Sequence, residues 1–262
     1  MNDLSNAIWI ELRKAIRSRM PRFTALGLLL PPLGVAFIMF VVKDPELARK
    51  VGLISTKANL MGLSANWPAY LGLLAQTIAA AGLIFFSLMM SWVFGREFAD
   101  GTLKDLLAVP VSRVTILLAK YIVVALWCIV ATVMIIIVGL ALGMMIGLSG
   151  GTSELLMRGL TTLVITACLV TIDVFPVAFF ASVGRGYLLP MGVVILILII
   201  ANLVAIAGWG SYFPWSVPGL YTQAMGSSNS SIEPISYVIV FITGLAGIIG
   251  TCLWWQFADQ SR

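Results

Sequence analysis

The chain has 262 residues, 60% hydrophobic and only 10% charged, where a soluble domain carries about 25% charged residues. That composition excludes an ordinary soluble globule and points to a polytopic membrane protein. The net charge of +5, from 16 Lys and Arg against 11 Asp and Glu, is what basic residues at membrane edges routinely give, so no nucleic-acid partner is expected.

Residues 1–22 precede the first apolar run. Within them Leu4, Ile8, Leu12, Ile16 and Met20 recur at helical spacing with Ala7 and Ala15 beside them, while Arg13, Lys14 and Arg17 lie off that stripe. The pattern predicts an amphipathic helix lying in the cytoplasmic interface, its basic face toward anionic lipid or a partner. The run that follows is longer than the apolar core of a secretory signal, so it is read as a retained first span.

Six runs approach the length of about 20 residues that a crossing of the hydrocarbon needs. They cover roughly 23–42, 71–93, 121–147, 160–181, 189–207 and 235–255. The expected fold is all-α: a six-helix transmembrane domain over 23–262 behind the N-terminal amphipathic helix, with a cytoplasmic element at 94–120 and an outer loop at 208–234. Placing the N-terminus inside puts eleven of the 16 cations on the inner side and five outside. By the positive-inside rule both termini are then cytoplasmic, in a multi-pass cell-membrane protein.

After the first span, Leu47, Val51, Ile54, Ala58 and Met61 predict a short outer interfacial helix, suited either to resting on anionic lipid or to gating an exit. In the third run Gly139, Gly143 and Gly147 share a face and would let a neighbouring helix approach closely. In the fourth, Asp173 is the one ionisable residue well inside an apolar run, and Pro176 three residues later predicts a kink. Two readings of Asp173 stay open: a structural hydrogen bond to a neighbouring helix, or an ion-coupling carboxylate. The loop 208–234 opens with Trp209, Tyr212, Phe213, Trp215 and Tyr221, an aromatic belt. Pro214 and Pro218 there favour a re-entrant or surface hairpin, and Asn229-Ser230-Ser231 has the pattern of a glycosylation sequon.

Enzyme chemistry finds little support. Histidine is absent, and Cys128, Cys168 and Cys252 are scattered through apolar runs. No Ser-His or Cys-His pair, metal-ligand cluster or disulfide framework is indicated, and a single intramembrane aspartate falls short of an aspartyl protease dyad.

The informative segment is the polar insert FGREFADGTLKDLLAVPVSRVTILLAK, residues 94–120. Gly101 offers a hinge, and Thr102 with Asp105 fits a capping box that starts a helix at Leu103. Pro110 ends that helix after about seven residues, near 10 Å of length. Leu103, Leu106 and Leu107 form its apolar edge, Lys104 and Asp105 flank it, and Ser112 is placed to cap the next helix. Such an element either docks in a groove of a soluble partner or rests on lipid.

The same stretch resembles the signature between the second and third spans of the ATP-binding-cassette type-2 permease family. The matching residues are Glu97, the step Gly101-Thr102-Leu103-Lys104, the pair Leu106-Leu107, Pro110 and Ser112-Arg113. Within that family the chain most resembles bacitracin- and lantibiotic-type export permeases, partly through FPWSVPGLY at 213–221. The resemblance implies a bacterial plasma-membrane permease that is not itself an enzyme. ATP and magnesium would sit in a separate cytoplasmic ATPase subunit, since this chain has no GxxxxGK[ST] loop and holds no cofactor or metal of its own. A second permease copy would complete the pathway, giving two permeases with two ATPases among membrane lipid. Coupling to the ATPase would fall to Glu97, Gly101, Thr102, Leu103, Lys104, Leu106, Leu107, Pro110 and Arg113, with Asp173 on the substrate pathway. The cargo implied is an amphipathic peptide antibiotic, bacteriocin or lipid-like molecule. The competing readings are a secondary transporter coupled through Asp173 and a membrane scaffold or sensor.

Overall fold

The computed structural model describes residues 3–44, 64–103, 106, 110–226 and 232–257. The predicted outer helix over 47–61 and the sequon at Asn229 lie outside them. Among the described residues the chain is helical, with a lone bridge between Asn66 and Ser149 in place of any strand.

An N-terminal helix, Asp3–Arg17, stops where Ser18 turns back to the carbonyl of Ala15 through both its N–H and its hydroxyl. Pro21, in the first turn of the following helix, has no N–H to continue the ladder, so the first span starts afresh as Met20–Lys43. The six helices long and apolar enough to cross a membrane are Met20–Lys43, Trp67–Ala99, Arg113–Ile146, Ser153–Val183, Leu188–Ile206 and Pro234–Phe257. Exposed Leu, Ile, Val and Phe side chains line their outward faces, including Phe23, Leu30, Ile137, Ile199 and Phe241. Such a surface is stable only against lipid or another apolar surface.

The second, third and fourth spans run well past their apolar runs. Asn66 caps the second, its side chain accepting the N–H of Ala69 at 2.9 Å, with Pro68 in the first turn. Ser112 caps the third as expected, accepting the N–H of Thr115 at 3.1 Å. A 34-residue helix is about 51 Å long at about 1.5 Å per residue, against about 30 Å of hydrocarbon. The surplus leaves helix ends on which polar contacts can be built.

Two irregularities shape the bundle. The second span carries a π-helical turn at Ile78–Gly82, which the sequence did not announce. The fourth breaks between Val174 and Val177, around Pro176. Opposite that break the sixth span brings Gly244 and Gly247, where an added Cβ would lie 2.5 Å from Ile172 and from Pro176 respectively.

The expected glycine face of the third span behaves as two parts. Gly139 and Gly143 admit Leu74 and Trp67 of the second span, and Tyr70 donates its hydroxyl to the Gly139 carbonyl at 2.8 Å. Gly147 instead ends the helix at φ 66°. There the Lys43 ammonium donates to the carbonyls of Ile146 and Gly147 at 2.5 and 3.0 Å, satisfying groups that a helix end leaves open. The core lies between the second, third and fourth spans, around Tyr70, Leu74, Phe86, Met90, Phe94, Val124 and Val170.

The loop after the fifth span folds against the bundle. Two 3-10 turns, Gly210–Tyr212 and Pro214–Ser216, lead into a short helix, Val217–Gly226. This loop helix packs on the second and fourth spans. Pro218 sits in its first turn, where proline is tolerated, and Tyr221 is buried while Trp209 and Tyr212 stay exposed.

Candidate functional site

The end of the bundle that carries the N-terminal helix gathers five charged side chains from three elements. Glu11 and Lys14 come from the N-terminal helix, Arg96 and Glu97 from the last turn of the second span, and Lys120 from the third span. Lys120, fully buried, donates to Glu97 Oε1 at 2.8 Å, to the Val93 carbonyl at 3.0 Å and to Glu11 Oε2 at 3.2 Å. Those three acceptors match the three hydrogens of an ammonium.

Arg96 reaches Glu11 Oε2 at 3.3 Å and Glu97 Oε1 at 3.2 Å, and its guanidinium lies 4.7 Å from the centre of the Trp92 ring. Lys14 closes the ring of contacts at 2.8 Å from Glu11 and 3.5 Å from Glu97. Three cations and two carboxylates leave the cluster one positive charge in excess. Burial pushes the Glu11 carboxyl up, but Lys120, Lys14 and Arg96 together outweigh it and hold the group below its ordinary value of 4.5.

A buried pair is weak evidence of stability, yet deleting one partner costs about 3–5 kcal/mol because the other charge stays behind. The cluster therefore works as a clasp. The N-terminal helix can shift only with the ends of the second and third spans, or by breaking the pairs of Glu11 with Lys120 and Arg96 and of Lys14 with Glu97.

This corrects the sequence reading of the N-terminal helix. The face that packs inward runs through Ile8, Glu11, Leu12 and Ala15, while Leu4 and Ile16 of the predicted stripe are exposed. Lys14, expected away from the apolar face, turns in to Glu11. Of the five clasp members the sequence singled out Glu97 alone; those missed as site residues are Lys14, Arg96, Lys120 and, least expected, Glu11. Its signal was an acid one turn from Ile8 and Ala15 on the packing face, matched by Lys120 inside a helix that is otherwise apolar around it.

Around the clasp, further contacts tie the spans. Arg113 donates from Nη1 to the Trp255 carbonyl at 2.6 Å, meeting an open group in the last turn of the sixth span. Trp255 donates from its indole to the Ser182 hydroxyl at 2.8 Å and packs edge-on against Phe98. Gly95 lies so close to the turn after the fourth span that an added Cβ would be 2.9 Å from the Gly186 carbonyl oxygen.

The remaining residues of the predicted coupling element are placed as follows. Glu97 is buried in the clasp, with Oε2 lacking a donor. Gly101 takes φ 70°, a left-handed conformation at the end of the second span. The Thr102 carbonyl accepts the N–H of Leu106 at 3.1 Å, closing one helical turn. Leu103 is buried in the chain's own core and Leu106 packs half-buried against it, so this edge is anchored to the bundle. Pro110 is exposed. Lys104 and Leu107 lie outside the described residues.

Asp173 is fully buried in the fourth span, but its two carboxylate oxygens meet no donor among the described residues. The side-chain hydrogen bond to a neighbouring helix that the sequence left open is not formed. It is the Asp173 backbone carbonyl that accepts, from the Trp215 indole at 2.9 Å.

Comparison with known proteins gives a consistent result. The family model described as ABC-2 family transporter protein matches residues 7–202, which include every member of the clasp. The bacitracin transport permease protein BCRB of Bacillus licheniformis is 26% identical over 179 residues, which span 68% of this chain and 85% of that protein.

Proposed function

This chain belongs to the ABC-2 family of transporter proteins, and from that premise we propose that it is the membrane permease subunit of an ATP-driven exporter. Its cargo is amphipathic: a peptide antibiotic, a bacteriocin or a lipid-like molecule. The bacitracin transport permease supports that choice by its similarity, and the scarcity of charge along the spans supports it by chemistry. ATP with magnesium is hydrolysed by a separate cytoplasmic subunit, and two permeases assemble with two such ATPases.

In this reading the end of the bundle with the N-terminal helix faces the cytoplasm. The ATPase binds there, against the element 94–120 and the exposed side of the N-terminal helix. Nucleotide drives the cycle because the ATPase dimer binds it more tightly in one global state than in the other. The observation that carries the coupling step is the clasp, whose charges come from three elements and cannot separate without breaking the ion pairs that join the N-terminal helix to the two spans. A push on the N-terminal helix or on the turn at Leu103 is then felt by the second and third spans together.

The test is co-purification and ATP hydrolysis with an ABC-type ATPase subunit co-expressed with this chain. The expected result is a stable complex whose ATPase rate depends on the permease. Lys104→Glu should weaken that dependence while the permease alone keeps its thermal stability. An ATPase that neither co-purifies with the chain nor responds to it would overturn the reading.

Asp173 sustains a second reading, an ion-coupled secondary transporter, because its carboxylate is buried without a donor. Transport that follows an imposed ion gradient, with no ATPase present, would favour it.

A further inference from the structure

At the end of the bundle opposite the clasp, a cavity of about 670 Å³ opens between the second span, the fourth span and the loop helix. Leu71, Leu73 and Leu155 supply apolar wall, and no carboxylate among the described residues lines it. Its polar groups divide into spent and unspent donors. Thr162 donates to the Arg158 carbonyl at 2.9 Å, Thr222 to the Gly219 carbonyl at 2.7 Å, and the Asn66 amide to the Ser64 hydroxyl at 2.6 Å. The side chains of Arg158 and Gln76 are exposed and make no hydrogen bond or ion pair among the described residues. The site therefore carries a positive charge and several N–H groups with no acceptor among the described residues, and no acid among the described residues that line it.

Gln76 also lines a second cavity, of about 180 Å³, bounded by Ala79 and Ala80 of the π-helical turn and by Ala201 and Ala205 of the fifth span. An apolar chain fits walls of that kind. The two cavities share Gln76 and Gln223, so a headgroup in one can carry a tail toward the other.

We propose that the larger cavity binds the phosphate headgroup of a single-chain anionic amphiphile. Arg158 takes two phosphate oxygens through its planar fork, a geometry that a lysine cannot reproduce. Gln76 donates to a third oxygen, and the tail runs past it into the smaller cavity, against Ala79, Ala80, Ala201 and Ala205. The inference deepens the export reading, on which it rests for its meaning, by naming the class of cargo. The binding itself is measurable without any ATPase.

The experiment uses the full chain in nanodiscs of phosphatidylcholine, titrated with dodecyl phosphate, dodecanol and inorganic phosphate. Dodecyl phosphate should bind saturably at one site per chain, more tightly than either control. Arg158→Gln should weaken it about ten- to hundredfold, as loss of a charged hydrogen-bonding partner does, and Arg158→Lys should fall in between. Gln76→Ala, with the guanidinium intact, should weaken it by a smaller factor and serves as the second variant should Arg158→Gln unfold.

Equal binding of dodecanol would reduce the site to an apolar groove. Displacement by inorganic phosphate at matching concentration would make it a free-anion site. Non-saturable uptake, or unchanged affinity in both variants, would show Arg158 merely reaching bulk lipid. Each of those results overturns the proposal. ATPase coupling without dodecyl phosphate binding would leave the exporter standing and remove this site. Binding without coupling would do the reverse.

Discussion

Two buried acidic regions of this protein are handled in opposite ways. In the clasp, Glu11 and Glu97 lie between three cations from crossing helices, and four of the five side chains are nearly or wholly withdrawn from solvent. Ten residues before the end of the fourth span, Asp173 is as deeply buried but meets no donor through its side chain. A carboxylate gains from burial only when the same fold delivers positive charge to it. The clasp achieves this because the long second and third spans and a separate N-terminal helix converge there. At Asp173 no cation among the described residues forms an ion pair.

The largest effect should come from Lys120→Met. It removes the only wholly buried cation of the clasp and leaves Glu11 and Glu97 to the partly exposed Lys14 and Arg96 alone, so the chain should lose up to about 3–5 kcal/mol of stability, read as a lowered unfolding temperature in detergent or nanodiscs. A single Lys120→Met variant as stable as the native chain would remove the clasp from the account.

A middle-sized effect should appear on acidification. Glu11 has a folded pKa below its ordinary value of 4.5, so its stabilising contribution is complete above that value and is lost as pH falls through the lower, folded one. The native unfolding temperature should therefore drop more steeply below about pH 4.5 than that of Glu11→Gln. A shift of about 2–4 °C accompanies each kcal/mol in a chain of this size. Parallel curves for the two proteins would mean that Glu11 is not held as a paired carboxylate.

The smallest effect should be at Asp173. With no side-chain hydrogen bond to lose, Asp173→Leu should change stability by no more than about 1 kcal/mol or raise it slightly. Asp173→Asn should leave the proposed ATP-driven export intact. Abolished export in Asp173→Asn, with the complex still assembled, would move this residue from packing to ion coupling.

Much of this contrast was already visible in the order of residues. Asp173 stood out because a charge inside an apolar run is conspicuous, and Glu97 because it opens a recognisable polar insert. Glu11 did not stand out, since an acid within an amphipathic helix is ordinary until the packing face is known. Lys120 looked like a membrane-edge cation, and its burial depends on a helix about a hundred residues away in sequence. The π-helical turn at Ile78–Gly82 has no marker in a stretch of small apolar residues. The span ends were underestimated wherever capping residues such as Asn66 lay beyond the apolar run.

Sequence alone determined the class, the six crossings, the break at Pro176, the cap at Ser112 and the family, because these depend on local composition, spacing and short motifs. Tertiary structure decided which charges meet. Side chains distant in the chain become partners only when helices cross, and from a list of residues a cation clasped between two acids looks the same as one left facing an empty cavity.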